Sequence, residues 1–188
     1  MSYKVKDMEL NVIHIGKCGG SSIRKAIASS DIVKSKYSKV SITHVSKVKY
    51  FEEIDYLIII RNPISRLLSA FNWRYYLIVE SEIKKNKSSK TLHEWKILKK
   101  YNNLDNLARI LYDDKKGNLN KAVAEDFNII GHFEKNISYY LEDALNFLKT
   151  KQVFGVIKQE SIQKDCEKIL GVKLTDHEKN NQFRVPIS

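Results

Sequence analysis

The chain predicts an α/β fold with a central parallel sheet covered on both faces by helices. Three observations carry that expectation. Short apolar runs alternate with longer amphipathic stretches, the pattern of right-handed βαβ units. One run, residues 56–60 (YLIII), is apolar at every position, as a strand buried on both faces is. Two of the runs end where a helix should begin: a glycine-rich turn follows the first, and Asn62-Pro63 follows the 56–60 run.

The elements follow in order. Residues 10–15 form a short apolar run that stops at Gly16, which reads as a buried strand. Gly19-Gly20 then turns the chain into a helix over 21–29. Residues 40–45 (VSITHV) are β-branched and read as a second strand. After the 56–60 strand, Asn62 is a good N-cap and Pro63 suits the first helical position, so a helix runs to about residue 76. Residues 77–127 read as a mostly helical, polar insertion with loop-like breaks at 84–90 and 113–118. Residues 127–133 read as a strand and 137–148 as an amphipathic helix. Residues 153–157 read as a strand, and 161–170 as a helix closed by Gly171.

At 188 residues the chain fits a single domain, 1–188, with enough length to bury a core. Its 43% hydrophobic and 29% charged residues are those of a soluble globular protein. The net charge of +11 favours anionic partners: a nucleotide, an acidic glycan, nucleic acid or a membrane surface. A solvated lysine-rich surface explains the same number. No nucleic-acid motif is present, so nucleic acid is not an expected partner. Two cysteines, Cys18 and Cys166, make neither a disulfide framework nor a zinc site. That usage suits a reducing compartment, and no apolar run resembles a leader or a membrane span. A cytoplasmic location without an integral membrane segment is expected.

Two stretches carry chemistry. His14 through Ser22 reads HIGKCGGSS. Gly16, Gly19 and Gly20 let the backbone turn tightly and approach a ligand. Ser21 and Ser22 open a helix whose N–H groups attract anions, and Lys17 adds a full charge. This is an anion cradle, and it is not a Walker A loop, which places its lysine after the last glycine. Cys18 and Arg24 also stand at the C-x5-R spacing of tyrosine phosphatases, where a helix N-terminus would activate the thiol. Lys25 stands where those enzymes carry a hydroxyl residue, and the reading leaves the second stretch unused.

That second stretch, Arg61 through Phe71, reads RNPISRLLSAF. Arg61 ends a strand and Ser69 lies two turns into the next helix. A guanidinium and a hydroxyl from adjacent elements can grip one phosphate. Arg66, one turn before Ser69, is read as structural.

Together these stretches resemble the 3′-phosphoadenosine 5′-phosphosulfate (PAPS)-dependent sulfotransferases, especially the carbohydrate O-sulfotransferase branch. Those enzymes carry H-[IV]-P-K-[TC]-G-G-[TS]-[TS] and R-D-P-x-x-R-x-x-S-x-[FY]. Gly16 replaces the proline and Asn62 the aspartate. Residues 129–134 and 153–157 are also similar. The resemblance implies a three-layer P-loop-like fold in a single sulfotransferase-like domain. It implies that Lys17, Cys18, Gly19, Gly20, Ser21 and Ser22 hold the 5′-phosphosulfate through backbone and side chains. It implies that Arg61 and Ser69 hold the 3′-phosphate. A late basic loop has counterparts only in residues 179–182 and Arg184.

Sulfuryl transfer asks a protein for in-line positioning and charge stabilisation. Lys17 would stabilise the leaving 5′-phosphate oxygen, and no metal is required. Of five histidines, His44 is the expected base, at the end of the second strand, where related enzymes often place one. Glu52 and Glu53 stand behind it; His14 and His132 read as strand residues. Between 84 and 100, seven lysines face a single acid, Glu94, with Trp73, Tyr75, Tyr76 and Trp95 around them. Such a face suits a glycan, and equally a solvated helix. The expected acceptor is a hydroxyl on a glycan or another compound. A protein that binds a nucleotide or polyanion without catalysis remains a competing class.

Overall fold

The computed structural model describes residues 8–44, 46–81, 88–112, 117–146 and 152–174. These fall into two compact units. The first holds residues 8–62 and 135–174, and the second holds residues 63–134.

The first unit is a four-stranded, all-parallel sheet flanked by helices. Its strands are β1 (Glu9–His14), β2 (Lys39–His44), β3 (Ile54–Ile60) and β4 (Val153–Lys158), in the order β2-β1-β3-β4. Its helices are α1 (Gly20–Ser29), α2 (Asp31–Lys36), α7 (Ile137–Leu145) and α8 (Ile162–Leu170). Consecutive residues Tyr56, Leu57, Ile58 and Ile59 are all buried. Side chains alternate across a strand, so both faces of β3 are covered, as its unbroken apolar run predicts. Ile23, Ala26 and Ile27 of α1, Tyr140, Leu141 and Ala144 of α7, and Cys166 and Leu170 of α8 join the strands in one core. Each fully buried aliphatic side chain there contributes roughly 1.5–3 kcal/mol of transfer free energy.

β2 lies on one side of β1 and β3 on the other, so the chain reverses its direction of travel across the sheet at β1. The carboxyl end of β1 is a topological switch point, where open α/β sheets bind ligands.

Helix boundaries have local causes. Ser30 accepts from the Val33 N–H at 3.2 Å and starts α2, a short helix the sequence reading passed over. Gly171, at φ 67°, closes α8 as predicted.

The second unit is helical. Its elements are α3 (Pro63–Tyr75), continued by a π-helical turn Tyr76–Glu80, then α4 (Ser89–Tyr101), α5 (Leu104–Leu111) and α6 (Lys121–Ile129). Ser88, Asn103 and Asn120 cap the last three through their side-chain oxygens. Phe71, Ile78, Leu98, Tyr101, Leu107 and Ile130 belong to its own core.

One expectation is corrected here. Residues 127–133 are not a strand: α6 runs to Ile129, and turns follow. Phe127, Ile130 and Phe133 recur every third residue, so the run packs by helical and turn spacing rather than by alternation. His132 has φ 74°, and the Gly131 N–H is taken by the Glu94 carboxylate at 2.9 Å, so no ladder can form. The breaks expected at 84–90 and 113–118 fall largely outside the described residues.

Glu94 is 3% exposed. It accepts from Arg74 Nε at 2.7 Å and from Arg74 NH2 at 2.5 Å, a bidentate pair inside the second unit.

Candidate functional site

The glycine-rich turn sits at the carboxyl end of β1. Cys18 N–H donates to the Ile15 carbonyl at 3.2 Å, which closes the turn, and Lys17 is held in a left-handed conformation at φ 70°. Such a φ is uncommon for a lysine and marks a turn that its surroundings impose. Gly19, at φ 86°, stands at the N-cap of α1 and has no side chain to cap it. The first turn of α1 contains no acid. The N-terminus of α1 is therefore shaped for an external anion.

The two glycines are set by close approach as well as by turning. A Cβ on Gly19 would collide with the Gln159 carboxamide, and one on Gly20 with the His14 ring. Alanine at either position must displace a neighbour.

Arg61 follows β3 and reaches back to this turn. Its NH1 donates to the Lys17 carbonyl at 3.2 Å. The next N–H, that of Asn62, donates to the Glu160 carboxylate at 2.8 Å, which fixes where the chain leaves the sheet. Burial, and then the neighbouring Arg61 charge, pull the Lys17 pKa from 10.5 down to about 8. Two cations held together and partly desolvated repel each other, and an anion between them relieves that repulsion.

This has a measurable consequence. Between about pH 8 and 10.5 the unfolded chain binds more protons at Lys17 than the folded one, so this group's contribution to stability rises with pH in that window. A bound anion favours charged Lys17 and raises its pKa. Affinity for a phosphate-bearing ligand is therefore expected to fall as pH rises above about 8, with proton uptake on binding at pH 8.5. Calorimetry in two buffers of different ionisation enthalpy reads that uptake. Identical heats in the two buffers would show that Lys17 does not meet the anion.

His14 and His44 end β1 and β2 and are direct partners in the parallel register. Their rings stack at 4.2 Å and 14°. His44 Nδ1 lies 2.9 Å from the His14 carbonyl. A carbonyl only accepts, so Nδ1 carries the proton and Nε2 of the neutral ring keeps the lone pair. That is the tautomer a base needs.

Other expected residues are placed as follows. Ser21 is exposed and Ser22 half-buried on the first turn of α1. Ser69 lies on α3, in the second unit, whereas Arg61 lies in the first. Arg66, also on α3, is 5% exposed and donates to the His132 carbonyl at 3.0 Å, a structural role as read. Glu52 and Glu53 are exposed before β3. Residues 179–182 and Arg184 lie outside the described residues.

Cys18 is 1% exposed; it packs in the core, with its thiol toward the Gly16 carbonyl at 3.9 Å, and Arg24 is exposed on α1. A thiol turned into the core is poorly placed for attack on a ligand above the turn, so the phosphatase reading is not favoured.

The model of the sulfotransferase family matches residues 9–129, which includes both sequence stretches and the sheet edge that joins them. The chain belongs to the sulfotransferase family. Comparison with curated proteins and with solved structures returns no match. The four-stranded parallel sheet with flanking helices fits a sulfotransferase of P-loop-like fold. Among the described residues no group of three or more metal-ligating side chains occurs, and no helix is long and apolar enough to cross a membrane.

Sequence reasoning underrated two residues that lie against the glycine-rich turn. His14 looked like a plain strand residue, yet its ring lies between Gly20 and His44. Gln159 was not considered. It follows β4 at the level of Arg61, since Ile60 pairs with Lys158. Its position just past a strand's carboxyl end is the signal that could have found it.

Proposed function

We propose that this protein transfers the sulfuryl group of PAPS to an acceptor hydroxyl, and that the acceptor is a carbohydrate. The observation that carries the reading is the pairing of Lys17 and Arg61 at the switch point, over the N-terminus of α1. Two cations, a capless helix start and glycines without side chains together suit a ligand that carries two anionic groups, one for each cation. Bound there, the donor supplies the sulfuryl group and departs as adenosine 3′,5′-bisphosphate.

Lys17 and the backbone of 19–22 bind the 5′ end; the Cys18 N–H closes the turn and its thiol faces the core, so Cys18 shapes the loop. Arg61 binds the 3′-phosphate. As the sulfur–oxygen bond to the 5′-phosphate breaks, Lys17 offsets the charge growing on that oxygen. The acceptor oxygen forms the new bond to sulfur, and His44 Nε2 takes its proton. No residue need be covalently modified, and no metal is required of the protein.

Support for a glycan acceptor comes from the second unit. Lys90, Lys96 and Lys99 are exposed on α4, whose only acid, Glu94, is turned inward onto Arg74. Trp73 and Tyr76 lie 6.2 Å apart between ring centroids and offer aromatic surface.

The test is calorimetric titration with adenosine 3′,5′-bisphosphate, with 5′-AMP and ATP as controls, on wild type and Arg61→Ala. The expected result is binding that needs the 3′-phosphate and weakens at least about tenfold in Arg61→Ala, the loss of one charged hydrogen-bond donor. Equal weak binding of all three nucleotides would refute the sulfonucleotide site. In a transfer assay, His44→Ala is expected to lose turnover while retaining nucleotide affinity.

A further inference from the structure

Gln159 lies at the carboxyl end of β4, beside the anion-binding turn. Its carboxamide rests against Gly19, so closely that any Cβ there would collide with it. Ile162, the first residue of α8, also lies near, its Cδ1 3.4 Å from the same Cβ position. The Gln159 Oε1 atom is buried and has no hydrogen-bond partner among the described residues. A buried amide oxygen without a donor is costly, and proteins rarely leave one without a reason.

The neighbouring groups show what the reason is. Gln159 and Arg61 are the first residues past the ladder on adjacent parallel strands. Arg61 reaches Lys17 and Gln159 reaches Gly19, so the two side chains brace consecutive parts of one turn. A carboxamide rotated by half a turn about its last torsion exchanges Oε1 for Nε2 and becomes a donor without moving its stem. An anion seated on the N-terminus of α1 needs donors at that place.

We infer that Gln159 is a donor-site residue whose carboxamide N–H binds a 5′-phosphate oxygen of the nucleotide held by residues 16–22. This rests on the reading above. Unliganded, the buried end of the amide has no partner; with the carboxamide turned, Nε2 stands there and donates to the phosphate oxygen. Gln159 thereby favours ligands that carry a 5′-phosphate over those that lack one.

The experiment compares wild type with Gln159→Met, which keeps the length of the side chain, and Gln159→Glu, which keeps its shape but not its donor. Each is titrated at pH 7 with adenosine 3′,5′-bisphosphate and with adenosine 3′-monophosphate, and each is melted. The bisphosphate is expected to bind on the order of tenfold more weakly to Gln159→Met, and more weakly still to Gln159→Glu. Affinity for the 3′-monophosphate should be unchanged, and the melting temperature of Gln159→Met should equal or exceed that of wild type. A residue that only braced the turn would lower the melting temperature and weaken both ligands alike, which would overturn the inference. Wild-type affinity for the bisphosphate in Gln159→Glu would overturn it also. If wild type binds neither nucleotide, the nucleotide reading fails, and inorganic pyrophosphate becomes the probe for Gln159. Weaker pyrophosphate binding in Gln159→Met than in wild type would still support it; equal or absent binding would end it.

Discussion

Glu94→Ala is expected to lower the melting temperature by about 10 °C, since breaking a buried ion pair costs about 3–5 kcal/mol and a domain of this size loses a few degrees per kcal/mol. The cost has two sources. Arg74, whose side chain is 20% exposed, loses both of its carboxylate contacts and keeps its charge. The Gly131 N–H loses its acceptor at the turn that follows α6. The two groups are neighbours: Arg74 packs against Gly131, where an added Cβ would come within 2.9 Å of its Nε. The double substitution Arg74→Met/Glu94→Leu should recover most of the loss, because apolar groups of similar size often replace a buried pair at little cost. Thermal melts of wild type, Arg74→Met, Glu94→Leu and the double variant close the cycle. A Glu94→Ala melting temperature within about 2 °C of wild type would show that the apolar cluster alone holds α3, α4 and α6 together.

The same residue shows why some of this molecule was legible in its sequence and some was not. β3 was readable because a strand covered on both faces announces itself within five or six residues, and β1, β2 and β4 because each is a short apolar or β-branched run. Asn62-Pro63 and Gly171 were readable because caps act on their own helix. Glu94 stood out as the lone acid in a lysine-rich stretch, and that oddity was the available sign that it faces inward. Its partner, twenty residues earlier on another helix, had no local mark. Residues 127–133 were misread because a short apolar run does not distinguish strand from helix, and the deciding contact again comes from Glu94. The tight turn at 16–22 was legible from its glycines. What holds it there was not: Gln159 is distant in sequence, and the juxtaposition of His14 with Gly20 depends on how α1 leaves the sheet.

Gly20→Ala turns that last contact into a test. Gly20 is the first residue of α1, and it is not among the glycines with a left-handed backbone. Alanine there costs no backbone strain, and its higher helix propensity works in favour of the substitution. The steric term decides the sign. An added Cβ would overlap three atoms of the His14 imidazole, and that ring is itself stacked on His44. Either the ring or the first turn of α1 must shift. Overpacking of this kind costs about 1–3 kcal/mol. Displacement of the α1 N-terminus should also weaken adenosine 3′,5′-bisphosphate by at least about tenfold. Gly19→Ala should be worse, because it adds a left-handed φ of 86° to the collision with Gln159. The discriminating protein is His14→Ala/Gly20→Ala, in which the new methyl occupies the space the ring vacates. Stability and nucleotide affinity should both return toward wild type, with a coupling energy of about 1 kcal/mol or more. The carbonyl at position 14 is backbone and still accepts the His44 Nδ1 proton, so His44 keeps its tautomer in the double variant and loses only its stacked neighbour. Strict additivity of the two substitutions would show that the His14 ring does not set the position of the turn, and that Gly20 is required for another reason.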